Sequence, residues 1–285
     1  MNQPTVIYLS WIPYGIGYFE TFLSSYIRYN AGADHRLVIL FNGVTQESDY
    51  TPFLNLAKEQ LAYPVDYMVM ESGQDIDAYF YAAQKVQSEN ILFFNTYSRM
   101  NADQWLLKYQ NIMKDSQIGL VSASGSALSY FSAVFQKKCA DDDKYNSLVS
   151  YIRCIKLHIK AALYWRFLFP TFPNFHVRSN AFMVRRLLFL SLHCPPLTSK
   201  FNAYRFESGF HSMTRQILKS GYRVKVVDIA GKSYDLAELQ QIPLFWKGNQ
   251  ELLLVSDNQT DTYQFAVPEE RAKMSYIAWG EKPAK

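Results

Sequence analysis

The chain reads as an α/β protein with a mostly parallel central sheet and helices on both faces. Three observations predict this. Short apolar runs ended by turn residues alternate with stretches whose apolar residues recur at helical spacing. Those runs, such as "LVILF" and "ILFF", are apolar throughout, as suits strands covered on both sides. And 285 residues that are 49% apolar suffice for one large domain with appendages.

The elements follow in order. "TVIYLSW" (5–11) is a run of strand formers, and "YFETFLSSYIRY" (18–29) has helical spacing. "HRLVILFNG" (35–43) is a second strand closed by Asn42-Gly43, followed by a helix in "TPFLNLAKEQLA". "VDYMVME" (65–71) is a third strand, and "DIDAYFYAAQKVQ" (75–87) is a helix that Asp75 can cap. "NILFFN" is the fourth strand, "ADQWLLKYQNIMK" a helix, and "IGLVSASGS" (118–126) a strand leaving into a loop of small residues. Residues 127–170 read as mainly helical and very aromatic. "NFHVRSNAFMVRR" (174–186) reads as one strand, "ESGFHSMTRQILKSG" (207–221) as one helix, and "YRVKVVD" as a strand. Residues 1–230 are expected to form the main domain, with 231–285 as a C-terminal extension packed on it.

Composition narrows the partners. A net charge of +4 is too weak a basic bias to imply nucleic acid, though it suits a phosphorylated substrate or anionic lipid. Aromatics make up 16%, which fits either a sugar-stacking cleft or a Tyr-rich core. Cys139, Cys154 and Cys194 show no ligand spacing, so neither a zinc site nor a disulfide framework is expected, and a reducing compartment fits. The N-terminus lacks the features of a signal peptide, and no run reaches the roughly 18 apolar residues of a membrane span. The expected location is cytoplasmic, at or near the inner face of the membrane. The aromatic run 162–175, with Lys156, Lys160 and Arg166 beside it, suits either a peripheral membrane contact or a helix packed on the sheet.

In an open parallel sheet, ligands bind beyond the carboxyl ends of the strands. The residues there are Ser10, Asn42, Glu71 with Asp75, Asn95-Thr96-Tyr97-Ser98, and Ser122 to Ser126. Polar groups at all five ends point to a cleft for a polar ligand. "YGIGYF" (14–19) has two glycines of a dinucleotide fingerprint but lacks the third, so it reads as a turn before it reads as an oxidoreductase motif. Neither a phosphate loop of the GxxxxGK[ST] type nor a GxSxG nucleophile elbow occurs.

This order of elements, over roughly residues 5–227, resembles the Rossmann-like GT-A fold of nucleotide-sugar glycosyltransferases, close to the inverting family 2. The resemblance is carried by "VIYLSW…YFETFLSSYI", by "LVILFNG", by "DIDAYFYAAQKVQSENILFFNTYS", and by "PNFHVRSNAFMVRR" followed by "RFESGFHSMTRQILKSGYRVKVVD". It implies that Ser10, Asn42, Asp75, Asn95, Thr96, Tyr97 and Ser98 line a donor cleft. It implies Glu207 as the general base that takes a proton from the acceptor hydroxyl. A helix start would favour the same carboxylate without catalysis. Arg178, Asn180, His211 and Arg215 are candidates for contacts with the leaving group or acceptor.

Relatives place an acidic pair at the fourth strand end to hold Mn²⁺ or Mg²⁺. Here Asn95 and Tyr97 stand instead, and neutral oxygens suit such cations poorly. A metal site therefore needs help from Asp75, Asp77 or Asp103; otherwise the enzyme is metal-independent and relies on Arg or Lys. The implied activity is transfer of a sugar from a nucleotide diphosphate to a glycan or lipid-linked acceptor in bacterial surface polysaccharide synthesis. The alternative is a catalytically silent module of the same fold that binds a glycan or a protein.

Overall fold

The computed structural model describes residues 3–136 and 148–280. The first half lays down β1 (Thr5–Trp11), α1 (Gly17–Arg28), β2 (Arg36–Asn42), α2 (Glu47–Gln60), β3 (Asp66–Met70), α3 (Asp75–Lys85), β4 (Asn90–Phe94), β5 (Arg99–Met100), α4 (Trp105–Met113), β6 (Ile118–Ser122) and β7 (Gly125–Ser126). Next come α5 (Tyr130–Gln136), α6 (Leu148–Leu163), β8 (His176–Val177), β9 (Ala181–Arg185), α7 (Arg186–Leu190), α8 (Lys200–Ser208) and α9 (Met213–Lys219). The chain closes with β10 (Arg223–Val227), β11 (Ser233–Asp235), β12 (Val255–Ser256), α10 (Asn258–Phe265) and α11 (Pro268–Trp279).

Eight strands form one sheet in the order β11-β10-β6-β9-β4-β1-β2-β3. Strands β3, β2, β1 and β4 are mutually parallel, and β6 is parallel to β10. The mostly parallel α/β architecture is as expected. The unbroken apolar runs have a direct structural cause. Apart from single end residues, β1, β2, β4 and β6 are buried along their whole length, because both faces are covered. One core packs α3, α7 and α9 against Ile7, Phe93 and Phe182. The opposite core packs α1, α2 and α4 against Tyr8, Phe41 and Phe94. Ala78, Ala82 and Ala83 on α3 lie fully buried, so that helix meets the sheet through small side chains. On the other face, the rings of Tyr8 and Phe22 stack with centroids 3.7 Å apart.

Strand β9 is inverted. It lies between β4 and β6, antiparallel to both, with Phe93 opposite Phe182 and Phe94 opposite Ala181. Its start therefore abuts the carboxyl ends of its neighbours, where a parallel strand would bring its end. The Asn95 N–H donates to Asn180 O at 2.9 Å, and the Ala123 N–H to Ala181 O at 2.9 Å. This inversion delivers residues 178–180 to the edge where ligands bind.

Several expectations need correction. The single strand 174–186 is two strands, β8 and β9, so Arg178 and Asn180 stand in a loop and share no strand face. In 118–126 the strand β6 leaves into a loop at Ser122, as read, and that loop adds the short strand β7. The single helix 207–221 is α8 and α9, broken at Gly209–Ser212, where the Ser212 side chain caps the second helix by accepting from the Arg215 N–H. Of the region read as mainly helical, residues 137–147 lie outside the described residues, and so does Cys139. Cys154 is disulfide-bonded, against the expectation of no disulfide, and Cys194 is a free thiol. "YGIGYF" is a turn, as read: it leads from the 3-10 turn Ile12–Tyr14 into α1.

The final segment is tied to the rest of the fold at two places, one in the central sheet and one in a separate two-stranded sheet. Strand β11 pairs with β10, and β12 pairs with β5 just beyond β4. The second pairing brings the start of α10 next to residues 95–98. Among the described residues, no helix is long and apolar enough to cross a membrane.

Candidate active site

A cavity of about 330 Å³ opens at the carboxyl edge of the sheet. That is at the small end of the roughly 300–1,000 Å³ of ligand pockets. Six parts of the chain build its wall: the end of β1 and the turn after it (Trp11, Tyr14), the exit of β4 (Asn95, Thr96, Tyr97), the start of α3 (Gln74, Asp75), the loop Arg178–Asn180, one face of α8, and the start of α10 (Asn258, Gln259).

The β4 exit is a tight polar turn. Asn95 Oδ1 accepts from Ser98 Oγ at 2.8 Å and from the Tyr97 N–H at 3.2 Å. Ser98 Oγ in turn accepts from the Asn95 N–H at 3.1 Å. Thr96 is clamped from both sides: its hydroxyl accepts from the Trp11 N–H at 3.0 Å, and its carbonyl accepts from Tyr8 Oη at 2.8 Å. The turn holds the Tyr97 ring against Tyr18 and Tyr14, at centroid distances of 4.7 and 5.5 Å. Burial and the neighbouring Tyr14 hydroxyl push the Tyr97 phenol well above its ordinary pKa.

Glu207 sits in the last turn of α8. The sequence reading placed it at a helix start, where the dipole favours a carboxylate. At a helix C-terminus the dipole opposes one, so capping does not account for it. What holds it is Ser179: Glu207 Oε1 accepts from the Ser179 N–H at 2.8 Å and from Ser179 Oγ at 3.0 Å. The second carboxylate oxygen makes no hydrogen bond among the described residues. Lys200, Ala203, Tyr204 and Glu207 recur at helical spacing along the cavity side of α8.

Asp75 begins α3 and faces the cavity's solvent. Crowding by protein, then the Glu207 carboxylate, raise its pKa, with Lys200 acting in the opposite direction. His176 is buried behind this wall, with Nδ1 2.7 Å from Asn174 O. Burial lowers its pKa, and the pull of Glu207 opposes that only in part.

Arg178 lines the cavity, but its charge is already partnered. Its guanidinium lies 2.6 Å from Asp257, the N-cap of α10, and 4.0 Å from the centre of the Phe245 ring. Asn180 accepts from Ser124 Oγ at 3.1 Å, while its buried Nδ2 has no hydrogen-bond partner.

The structure thus brings Glu207, Asp75, Asn95, Thr96, Tyr97, Arg178 and Asn180 to one cavity. Five other candidates do not reach its wall. Ser10 is buried in β1. Asn42 is buried and donates to Gly73 O at 3.0 Å, which holds the loop before Asp75. Ser98 is buried beneath Asn95 and donates to its oxygen. His211 is exposed in the break between α8 and α9. Arg215 points to Asn174 Oδ1 at 3.2 Å and to the Phe210 ring.

A protein-held divalent cation does not fit the residues present. Asn95 Oδ1 is spent inside its own turn. Asp77 Oδ2 accepts from the Gln74 N–H as part of the α3 cap, and Asp103 Oδ1 accepts from the Asn30 N–H. Of the three supporting carboxylates, only Asp75 lines the cavity. Among the described residues, no group of three His, Cys, Asp or Glu side chains is arranged to hold a metal.

Sequence reasoning missed Ser179, Lys200, Tyr204, Asn258 and Gln259, all in the wall. A signal for two of them was present: Ser199 is an N-cap type residue, and a helix started there carries Lys200, Tyr204 and Glu207 on one face. Asn258 and Gln259 gave no such signal, because the pairing of β12 with β5 is what brings them in.

No protein-family model matches the chain, and no curated protein matches its sequence. Solved structures do share features with it. A mannosyltransferase from Pyrobaculum calidifontis, in complex with GDP-Man and Mn²⁺, is 14% identical with a TM-score of 0.46, over 78% of this chain and 53% of that one. TarS 1–349 of S. aureus is 12% identical with a TM-score of 0.43, over 79% and 58%. A CMP:2-keto-3-deoxy-manno-octonic acid synthetase complexed with CTP is 8% identical with a TM-score of 0.42, over 79% and 89%. The chain spans about half the length of the mannosyltransferase.

Proposed function

We propose that the protein is a glycosyltransferase that moves a sugar from a nucleotide-diphosphate donor to a hydroxyl of a glycan or lipid-linked acceptor. The observation that carries this reading is the shared cavity. The β4 exit and the Glu207 carboxylate face the same space, and Glu207 is oriented by Ser179 with one oxygen left for a substrate. Glu207 takes the proton as the acceptor hydroxyl attacks the anomeric carbon, and the nucleoside diphosphate departs. Attack opposite the leaving group inverts the anomeric centre. With Arg178 neutralised by Asp257, Lys200 is the cation in the wall that offsets charge on the departing diphosphate. The rings of Tyr14, Tyr18 and Tyr97 offer a stacking surface beside it. A role in surface polysaccharide synthesis at the cytoplasmic face of the membrane fits this chemistry.

The test is a panel of nucleoside diphosphates and nucleotide sugars, read by calorimetry and thermal shift with Mn²⁺ and with chelator. Binding that survives the chelator supports metal-independent transfer. Glu207→Gln should keep that binding and lose transfer. Equal loss of both removes the base role.

One observation favours a second reading, a catalytically silent module that binds a glycan or a protein. The amide oxygen of Asn95, which stands where relatives hold their cation, is consumed by Ser98 and Tyr97 within its own turn. Binding of a glycan with no binding of any nucleotide would establish that reading instead.

A further inference from the structure

Helix α6 is amphipathic in an unusual sense: its apolar stripe faces outward. Cys154 and Ala161 mark the packed side. About half a turn around lie Leu148, Ile152, Ile155, Ile159 and Leu163, spaced by three or four residues, and Phe167 continues the stripe in the 3-10 turn that follows. Exposure reaches 75% at Leu148, 53% at Ile159, 67% at Leu163 and 63% at Phe167. On the packed side, Ala161 joins Trp165 and Phe169, from the turn and chain after the helix, in a small core with Tyr130 and Phe201.

Charge says what covers the stripe. Arg153, Lys156 and Lys160 fall along one flank of it by helical spacing, all exposed, and exposed Arg166 lies against the Phe167 ring at 4.5 Å. No Asp or Glu occurs between residues 144 and 206. An apolar face with a basic border and aromatic residues at its end is the pattern of a helix lying in a membrane interface. A protein partner would need acidic side chains of its own to match this border, whereas an anionic bilayer supplies both the apolar layer and the phosphates.

We infer that α6 and the turn after it dock the protein on an anionic lipid surface. The docking face connects to the cavity. Tyr130 packs against Trp165 at 5.0 Å and against Tyr204 at 5.1 Å, and Tyr204 lines the cavity wall. A docked bilayer therefore lies on the side of α8, the helix that carries Glu207, and this deepens the reading above by favouring a lipid-linked acceptor.

The experiment is vesicle co-sedimentation of the full chain. Phosphatidylcholine vesicles containing phosphatidylserine should pull the protein down. Pure phosphatidylcholine should do so far less, and salt should weaken the binding. Lys156→Gln with Lys160→Gln should weaken binding about twenty-five-fold, taking roughly a factor of five per cation at the surface. Ile155→Ser with Ile159→Ser should abolish it, while circular dichroism and nucleotide binding stay as in the parent. No sedimentation with anionic vesicles at low salt overturns the inference, and so does equal binding by both variants. A dimer in analytical ultracentrifugation that the isoleucine variant splits would assign the face to a second copy and overturn it too. Because vesicle binding needs no nucleotide, its failure leaves the reading of the cavity standing, and the converse also holds.

Discussion

Arg178 and Asp257, 79 residues apart, form a buried ion pair of 2.6 Å that fastens the loop before β9 to the first turn of α10. The same carboxylate caps that helix, accepting from the N–H groups of Gln259 at 3.0 Å and Thr260 at 2.9 Å. One side chain therefore sets both the helix start that lines the cavity and the loop that carries Ser179.

Asp257→Ala should destabilise the protein by about 3–5 kcal/mol, because it strands a buried guanidinium and removes the cap. Urea unfolding measures this. Arg178→Met combined with Asp257→Asn keeps a capping side chain and removes both charges. It should cost less than Asp257→Ala alone, and a larger cost would contradict this account of the pair.

Glu207→Gln should lower transfer by about 10²–10⁴, the usual contribution of a general base, with donor affinity unchanged. Ser179→Ala removes one of two bonds to the carboxylate and leaves the backbone N–H. The expected result is about a ten-fold fall in kcat at constant KM, since a hydrogen bond to a charged group contributes roughly 1.5–3 kcal/mol. A change confined to KM would place Ser179 in substrate binding.

Lys200→Met should weaken nucleoside diphosphate binding about ten-fold and leave nucleoside binding unchanged, if this exposed ammonium meets the diphosphate. The affinity of the parent should fall with salt, and the variant should lose most of that dependence. Calorimetry with the two ligands decides it.

Asp75 carries a pH signature. Its pKa is raised in the folded protein by crowding and by Glu207, so the native state holds that proton more tightly than the unfolded chain does. Stability then falls as pH rises from the ordinary carboxylate range through the raised value. Asp75→Asn should remove that fall, giving a higher Tm than the parent at neutral pH and the same Tm at acid pH where Asp75 is protonated. A Tm difference that is constant across pH would show that the shift plays no part.

The parallel strands were legible because burial on both faces leaves a local mark. "VIYL", "LVIL" and "ILFF" are apolar at every position, and the chain turns where polar residues appear. The helices on either side were legible for the same reason, through the spacing of residues such as Phe19, Phe22, Leu23 and Tyr26. The break at residues 178–180 was not legible. Arg178 and Asn180 flank Ser179 in a pattern that also suits an edge strand, and only pairing with both β4 and β6 decides where β9 begins.

The same division runs through the site. Glu207 and the polar exit of β4 stood out in the primary structure, because a carboxylate and a run of hydrogen-bonding side chains after an apolar strand are local features. Ser179 as the partner of Glu207, Asp257 as the partner of Arg178, and the removal of Arg215 and His211 from the cavity are products of folding. Each depends on contacts between segments tens of residues apart, set by an inverted strand and a C-terminal helix. Periodicity along a chain records which side of an element is buried; it holds no record of which distant element buries it.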